Sequence, residues 1–470
     1  MLSPEIISGL QAAVGEEWCL TGKADLMAYS YDATPLYQRL PSAVVLPRTT
    51  DEVAAVMRLA HAHRIPVYTR GSGTNLSAGA VPRPGGIAMA LNRMNSIVEI
   101  DQENLTATVQ AGVITATFHK AVEALGLFYP PDPGSMTTST LGGNMMESAG
   151  GLRGLKYGVT KDYVVAVEAV TPDGRIFHAG GKNVKDVAGY DLVKLLCGSE
   201  GTLAIVTQMT LKLVPLPAAR RTAVAVYNDM EAAARTVSEI IAAKIIPCTL
   251  EFLDNGTIRA TEDFVHLNLP VEAAAMLLIQ QDGPASVCDA DIARVAEICR
   301  KNGAFDVQVA SDPAEQDSLM QARRWALSAL ARRKPTTILE DATVPRSQIA
   351  PMVAAIRQIA DKHQLDICTF GHAGDGNLHP TCMTDERNKE ELERVDKAFE
   401  EIFEAALQLG GTITGEHGVG EAKSPFLEWK VGPVGVEVMR AIKQAFDPEQ
   451  ILNPGKMFAK ESRKRVVVRR

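Results

Sequence analysis

The hydrophobic positions in the first half of the chain form short runs that predict β-strands. Candidate strands cover residues 43–47, 66–70, 87–91, 106–110, 164–170 and 202–214. A T-P-D-G turn after the fifth strand predicts a hairpin with the R-I-F-H-A-G run. Two helices are expected among these strands, one capped at Thr50 with acids in its first turn and one near 115–125.

The pattern changes after P-L-P-A-A-R-R (215–221), where long runs with helical spacing begin. Helices are predicted at 229–243, 285–302, 313–333, 347–364, 387–409 and 433–446. The sequence therefore predicts an α+β protein with a domain at 1–217, whose core spans about 38–217, and a domain at 218–459. A basic tail follows at 460–470.

Composition narrows the class of protein. The chain has 470 residues, of which 46% are hydrophobic and 22% charged, as in a globular protein with an ample core. Its net charge of −8 argues against nucleic-acid binding by the bulk of the protein. The basic tail is either a solvated terminus or a docking segment for a membrane surface or an acidic partner.

Cysteine use and hydropathy give weaker indications of the compartment. The seven cysteines form no C-x-x-C pair and are odd in number, which fits a reducing compartment and argues against an iron–sulfur cluster or a zinc ribbon. The first residues lack the basic region of a signal peptide, and no apolar run of about 18 residues predicts a transmembrane segment.

Three glycine-rich segments suggest a phosphate-bearing ligand. They are R-G-S-G-T-N-L-S-A-G-A (70–80), the segment 130–158 and C-G-S-E-G-T-L-A-I-V-T (197–207). Backbone amides of such loops can form a nest for anions, and glycine permits close approach of a ligand. The first loop is neither a P-loop nor a Rossmann fingerprint, since Leu76 stands where the latter needs a small residue. Tight connections without a ligand are the alternative.

The stretch G-H-A-G-D-G-N-L-H-P (371–380) has a histidine on each side of an Asp-Gly turn signal. A two-residue type I′ turn at Asp375-Gly376 would pair His372 directly with His379, with their Cβ atoms about 5 Å apart. Pro380 would then end the strand pairing. Together with Glu416, from G-E-H-G-V-G, these side chains would make a His₂-carboxylate metal site with open positions. Two histidines that only form hydrogen bonds are the alternative.

The order of these motifs resembles the vanillyl-alcohol-oxidase/PCMH superfamily of FAD-linked oxidases, in its glycolate oxidase and D-lactate dehydrogenase branch. The likeness spans about residues 40–458 and rests on R-G-S-G-T-N-L-S-A-G-A, T-L-G-G-N, S-A-G-G-L-R-G-L-K-Y-G and G-S-E-G-T-L. It implies a PCMH-type FAD-binding domain of two α+β subdomains and a C-terminal α+β substrate domain with an antiparallel sheet.

The resemblance also implies which residues hold the FAD. No histidine or cysteine occurs in 70–80 or 130–158, so FAD is expected to bind non-covalently. The implied FAD-binding residues are Arg70, Gly71, Ser72, Gly73, Thr74, Asn75, Gly79, Ala80, Pro133, Gly134, Thr138, Gly142, Gly143, Ser148, Gly150, Gly151, Tyr157, Gly158, Glu200, Gly201, Ile205, Val206 and Asn453.

By the same resemblance, His372, His379 and Glu416 bind a divalent metal, with Zn, Fe and Mn left open, and His417 is the catalytic base. Arg324 or Arg323, in Q-A-R-R-W, would hold the substrate carboxylate, because a guanidinium matches it with two hydrogen bonds. Surface arginines on an amphipathic helix are the alternative. Relatives that act on D-2-hydroxyglutarate carry a lysine where this chain has Leu339, which favours a smaller acid.

The expected activity is FAD-dependent oxidation of a small D-2-hydroxy acid, D-lactate first and glycolate next, to the 2-oxo acid. Because the chain lacks a cysteine cluster and an NAD fingerprint, electrons would pass to an external acceptor: an iron–sulfur subunit, an electron-transfer flavoprotein, a quinone or oxygen. The resemblance favours a separate protein, either an electron-transfer flavoprotein or an iron–sulfur subunit, because the family commonly works in multi-subunit complexes. The expected location is the cytoplasm, free or held at the membrane by a partner. The alternatives are a D-2-hydroxyglutarate dehydrogenase, a metal-dependent hydrolase and a non-catalytic FAD-binding subunit.

Overall fold

The computed structural model describes residues 2–459, which divide into two compact units. The first unit contains residues 2–149, 159–216 and 416–459, and the second contains 150–158 and 217–415. Contacts thus group 416–459 with the first unit and 150–158 with the second, although the sequence pattern had placed each segment on the other side. The basic tail predicted at 460–470 lies outside the described residues.

The helices lie in both units and take up the runs of 3.6-residue spacing. In chain order they are α1 (Pro4–Val14), α2 (Lys23–Ala28), α3 (Thr50–Ala62), α4 (Thr115–Glu123), α5 (Leu141–Glu147), α6 (Gly154–Tyr157), α7 (Leu192–Leu196), α8 (Met230–Ala242), α9 (Asn255–Val265), α10 (Ala285–Lys301), α11 (Pro313–Leu330), α12 (Ile349–His363), α13 (Lys389–Gln408) and α14 (Leu427–Phe446).

The first unit contains two main sheets. Its strands are β1 (Cys19–Leu20), β2 (Ala43–Val45), β3 (Val67–Arg70), β4 (Ile87–Ala90), β5 (Ile97–Asp101), β6 (Thr106–Gln110), β7 (Leu127–Phe128), β8 (Val164–Val170), β9 (Ile176–Gly180), β10 (Ile205–Lys212) and β11 (Val214–Pro215). One sheet has the order β1-β2-β4-β3, with β2, β4 and β3 parallel. The other is antiparallel, in the order β5-β6-β10-β8-β9, and β7 pairs separately with β11.

The second unit is built on one antiparallel sheet. Its strands are β12 (Ala219–Tyr227), β13 (Thr249–Asp254), β14 (Ala275–Gly283), β15 (Ala304–Val309), β16 (Thr336–Leu339), β17 (Ala342–Thr343), β18 (Ile367–His372) and β19 (Asn377–Thr384). The order is β15-β12-β14-β13-β18-β19-β16, with β17 also paired to β19. Central strands such as β14 are apolar and buried, and helices α8, α12 and α13 bury apolar faces in the same core.

The structure confirms the α+β class, and strand β8 and the hairpin to β9 match the expected elements. Six helices were not predicted: α1, α2, α5, α6, α7 and α9. Helix α9 begins at the Asp254 N-cap, but its buried face is mostly Thr257, Ala260 and Thr261, so an apolar period is absent from its sequence. Helix α14 begins earlier than predicted and is interrupted at Gly432, whose φ is 72°.

Within residues 2–459, none of the helices combines the length and the apolar character that a bilayer crossing requires.

Replacing Gly142 with alanine is expected to destabilise the first unit. A Cβ there would lie 2.6 Å from Cβ and 2.8 Å from the carbonyl oxygen of Ala111, so backbone must shift. We expect a loss of about 1–3 kcal/mol in the free energy of unfolding, measured with urea. Gly134→Ala is the matched control in the same segment, because a Cβ at Gly134 meets nothing within 4 Å. Equal stability of the two variants would contradict this packing.

Candidate functional site

The register of the histidine hairpin differs from the sequence prediction. Strands β18 and β19 pair His372 with Asn377 and Phe370 with His379, so the two histidines are diagonal rather than directly opposed. A short 3₁₀ turn over Ala373–Asp375 followed by Gly376 takes the place of the two-residue turn. The expected type I′ turn at Asp375-Gly376 is therefore wrong.

The longer turn has a steric cause. Gly376 has a φ of 87°, and a Cβ there would lie 2.1 Å from the carbonyl oxygen of Val344. A Cβ on Gly374 would lie 2.4 Å from a methyl group of Leu155. The connection therefore packs against neighbouring elements on both sides, and tertiary contacts override the local preference of Asp-Gly for a two-residue turn.

Although the register differs from the predicted one, both histidines lie on one face of the sheet. Side chains two residues apart on a strand share a face, so His379 lies beside Asn377, which pairs with His372. The ring centroids are 5.1 Å apart, the planes are nearly perpendicular, and both side chains are buried. The expected proximity therefore holds although the expected pairing does not.

Pro380 does not end the strand, contrary to the prediction. It pairs with Thr369, and β19 continues to Thr384. On its other side, the pairing is interrupted between β16 and β17, where the Glu340 amide donates to the Pro380 carbonyl. A strand can accept proline at such a break, because the ladder needs no amide there.

Glu416 is the residue that follows the second unit in the chain, directly after Gly415. The Gly415 amide donates to the buried Asp341 carboxylate at 2.6 Å. A Cβ on Gly415 would lie 2.2 Å from the Thr343 hydroxyl and 3.0 Å from the Asn377 amide group. Glycine at position 415 thus lets the backbone pack against β17 and β19. This contact determines the position of the Glu416 backbone.

The three metal-ligand candidates come together. One ligand atom each from His372, His379 and Glu416 lies within 4.8 Å of the other two. Two imidazole nitrogens and a carboxylate oxygen at this spacing fit a single divalent ion of the Zn, Fe or Mn type and leave positions for other ligands. The residues therefore fit the metal that the motif implies.

A buried acid that the sequence analysis missed supports this cluster. Glu251, on β13, accepts from His372 Nδ1 at 2.8 Å and from Arg323 Nε at 2.6 Å. Burial alone would raise the pKa of Glu251, but the charges of Arg323 and His372 outweigh it and hold that pKa below its usual value. The available signal was the acid Glu251 between the apolar residues Leu250 and Phe252.

The structure separates the two arginine candidates on α11. Arg323 is buried, and its guanidinium stacks 4.7 Å from the centroid of Phe370, the residue paired with His379. Arg324 is half-buried on a different face of the helix. Arg323 is therefore the guanidinium that lies beside the histidines.

His417 lies in the first unit, in a glycine-rich turn held by its backbone. Its carbonyl accepts from the Ser77 hydroxyl at 3.0 Å and from Asn75 Nδ2 at 3.4 Å. The Val419 amide donates to one carboxylate oxygen of Glu200 and the Gly420 amide donates to the other, both at 2.6 Å. The E-H-G-V-G motif is thus fixed by main-chain bonds around His417.

The side chain of Glu200 therefore has a structural role, and its expected contact with FAD stays a prediction. Besides the carboxylate, its amide donates to Met146 and its carbonyl accepts from Asn453 at 2.7 Å. Burial raises the pKa of Glu200 and, together with the charge of Glu200, that of Glu147. Gly418 is needed beside them, because a Cβ there would lie 2.2 Å from Glu147 Oε2.

One part of the first glycine loop is held by hydrogen bonds to side chains, and another part has backbone amides that are not bonded to the described protein. Asn75 Oδ1 accepts from the amides of Ser77 and Gly79 at 2.9 and 2.7 Å, and the Ala80 amide donates to Asp32. Within the described residues, the amides at 72–74 have no protein acceptor. Consecutive amides left in this state suit the oxygens of a pyrophosphate, so the loop fits the FAD that the motif implies.

Several other expected FAD residues have packing roles. Arg70 donates to the carbonyls of Tyr29 and Tyr31. Its guanidinium lies against Gly73 and so supports the first loop. Gly71 is required because a Cβ would lie 2.1 Å from the hydroxyl of Thr140, the N-cap of α5. The Thr140 hydroxyl accepts from the Gly143 amide and so caps the first turn of α5.

Other expected FAD residues have no packing role that explains their position, as is typical of residues that face a ligand. Gly134 is exposed with open space at its Cβ, and Thr138 beside it is exposed. The Ser148 hydroxyl is buried without a hydrogen-bond partner within the described residues, on a residue with a φ of 52°. Two other expected FAD residues differ: the Ser72 hydroxyl accepts from Asn92 Nδ2, and Pro133 is buried.

The remaining expected FAD residues fall into both units. Gly150, Gly151, Tyr157 and Gly158 belong to the second unit, where the Tyr157 hydroxyl donates to Asp282 at 2.8 Å. Ile205 and Val206 are core residues of β10. Asn453 joins the first and third loops through bonds from its amide to the carbonyls of Gly79 and Glu200, next to Gly201.

Two family models match this chain. The model of the C-terminal domain of FAD linked oxidases matches residues 216–457, and an FAD binding domain model matches 41–180. The chain belongs to the FAD-linked oxidase family. This confirms the expected family and FAD as the cofactor, and the chain is an FAD-linked oxidoreductase.

Similar family members cover most or all of the chain. Glycolate oxidase subunit GlcD of Bacillus subtilis (strain 168) is 58% identical over 470 residues, all of both chains. The protein of the same name in Escherichia coli (strain K12) is 38% identical over 92% of this chain and 86% of its own. D-lactate dehydrogenase of Anaerostipes hadrus is 35% identical over 98% of each chain.

Solved structures support the fold expected for the family. p-Cresol methylhydroxylase superposes with a TM-score of 0.81 at 19% identity over 97% of this chain and 96% of its own. Alkyldihydroxyacetonephosphate synthase gives 0.76 at 20% identity over 97% and 86%. These likenesses confirm the PCMH-type fold expected from the motifs.

Asn75→Ala is expected to weaken FAD binding in this family member. The variant loses the acceptor for the amides of Ser77 and Gly79, so the first loop no longer holds its shape. We expect the FAD dissociation constant to rise at least about tenfold, the value of one or two lost hydrogen bonds, measured by flavin absorbance after gel filtration. Asn104→Ala, at an exposed turn, is the control. Full retention of FAD by the Asn75 variant would show that the loop keeps its shape without this side chain.

Proposed function

We propose that the protein oxidises a small D-2-hydroxy acid, D-lactate first and glycolate second, to the 2-oxo acid, and that a divalent metal takes part. The carrying observation is the meeting of His372, His379 and Glu416, in an FAD-linked oxidase chain. Relatives named glycolate oxidase subunit and D-lactate dehydrogenase support this substrate class.

The chain's own residues supply the binding and proton-handling groups. When bound, FAD supplies the two-electron acceptor, and the metal supplies a Lewis acid for the substrate oxygens. His372, His379 and Glu416 hold the metal. Arg323 binds the substrate carboxylate through its guanidinium, and His417 takes the hydroxyl proton, because a neutral imidazole accepts protons near pH 7.

Two features favour a short substrate. Leu339 is buried at the end of β16, paired with Thr381, so this position offers no cation for a second carboxylate. D-2-Hydroxyglutarate is therefore a poorer candidate than D-lactate. A metal-dependent hydrolase would leave the FAD domain unused, and a non-catalytic FAD subunit would leave the His₂-Glu cluster unused.

We infer that electrons leave through a separate protein, either an electron-transfer flavoprotein or an iron–sulfur subunit. The seven cysteines are free and scattered, which supports an acceptor outside this chain. The name "subunit" of two relatives is consistent with this arrangement. The proposed location is cytoplasmic, free or at the membrane through that partner.

Anaerobic mixing with D-lactate or glycolate should bleach the bound flavin. His379→Ala removes one metal ligand and is expected to slow bleaching about 100-fold or more, since a chelating ligand is lost, as measured by stopped-flow absorbance. His178→Ala is the control, because this histidine is exposed on β9 and outside the cluster. A flavin that no 2-hydroxy acid bleaches would exclude the proposed substrate class, and wild-type rates for His379→Ala would exclude the metal.

Arg323→Lys and Arg324→Lys should separate the two arginines. Lysine keeps the charge but loses the planar two-point grip, so Arg323→Lys is expected to raise the KM for D-lactate about tenfold or more. Arg324→Lys should change KM less than about twofold, since this residue lies on another face of α11. The reverse order of effects would assign the carboxylate to Arg324.

A further inference from the structure

Glu251 joins the two parts of the site in the second unit. It follows Leu250 on β13, and its neighbour Phe252 pairs with Gly371, so Glu251 stands across from His372. One oxygen lies 2.8 Å from His372 Nδ1 and the other lies 2.6 Å from Arg323 Nε. Its side chain is fully buried.

We propose that Glu251 is a positioning residue that orients the metal ligand His372 and the carboxylate-binding Arg323 at the same time. The inference rests on the proposed function, because it takes His372 as a metal ligand and Arg323 as the substrate clamp. It concerns a residue outside the E-H-G and G-H-x-G-D-G-N-x-H motifs.

The bond to His372 determines which ring nitrogen is available to a metal. A carboxylate that accepts from Nδ1–H leaves Nε2 with its lone pair, and it prevents rotation of the ring. Removing the carboxylate therefore costs metal affinity even when the histidine is intact.

The bond to Arg323 determines the direction of the guanidinium. Nε is taken by Glu251, and one face of the group lies over the Phe370 ring. One terminal nitrogen, Arg323 Nη2, is buried without a hydrogen-bond partner within the described residues and is left for another acceptor. A substrate carboxylate would complete this group's hydrogen bonds without breaking the one to Glu251.

Asp254 provides a matched control on the same strand. It is also a buried acid of β13, but it accepts from the amides of Thr257 and Thr369 and so caps α9. Three residues from Glu251 along a strand, it lies on the opposite face. Asp254→Asn therefore removes a buried charge from β13 without touching His372 or Arg323.

The test measures Mn²⁺ binding to the FAD-loaded, metal-stripped protein by the electron paramagnetic resonance of free Mn²⁺. We expect Glu251→Gln to raise the Mn²⁺ dissociation constant about 10- to 100-fold and to raise the KM for D-lactate. Asp254→Asn should lower the melting temperature but leave the Mn²⁺ dissociation constant within about twofold. An unchanged dissociation constant in Glu251→Gln would overturn the inference.

Two further outcomes of this experiment would have different meanings. Wild-type protein that binds no Mn²⁺ would overturn the metal site of the proposed function, and the inference with it. If Glu251→Gln does not fold, Glu251→Asp replaces it, because the shorter carboxylate cannot reach both partners at the observed distances. At least one of the Mn²⁺ dissociation constant and the KM should then rise about tenfold, and wild-type values of both would overturn the inference.

Discussion

The buried carboxylate of Glu251 is the interaction on which the site in the second unit depends. Burying a charge costs several kcal/mol unless partners compensate it. His372 and Arg323 supply that compensation from β18 and α11. The strand and the helix are therefore fixed relative to β13 by the same carboxylate that aligns the imidazole and the guanidinium.

In the first unit, carboxylates and amides organise glycine-rich backbone in a similar way. Glu200 accepts from two amides of the turn after His417, and Asn75 accepts from two amides of the first glycine loop. Several glycines of this unit are required because a polar group occupies the space of a Cβ, as at Gly71 and Gly418. The glycines thus divide into those that allow close packing and those, such as Gly134, that leave open space.

The fold and the metal cluster support different parts of the function. The family models establish FAD-linked oxidation for the chain. The His₂-Glu cluster and Arg323 add a geometry suited to an acid with an adjacent hydroxyl. The proposed specificity would come from a few polar groups on a scaffold whose fold also occurs in proteins with other names.

The sequence by itself determined the α+β class and the family, and it singled out His372, His379 and Glu416 as metal-ligand candidates, because strand periods and motif spacings are local properties. It did not determine the hairpin register, since Val344 and Leu155, which shape the turn, come from distant segments. Nor could it choose between Arg323 and Arg324, adjacent residues with the same side chain. Only the tertiary structure placed Glu251 and Phe370 beside one of them, because burial and pairing of a charge depend on contacts between segments far apart in the chain.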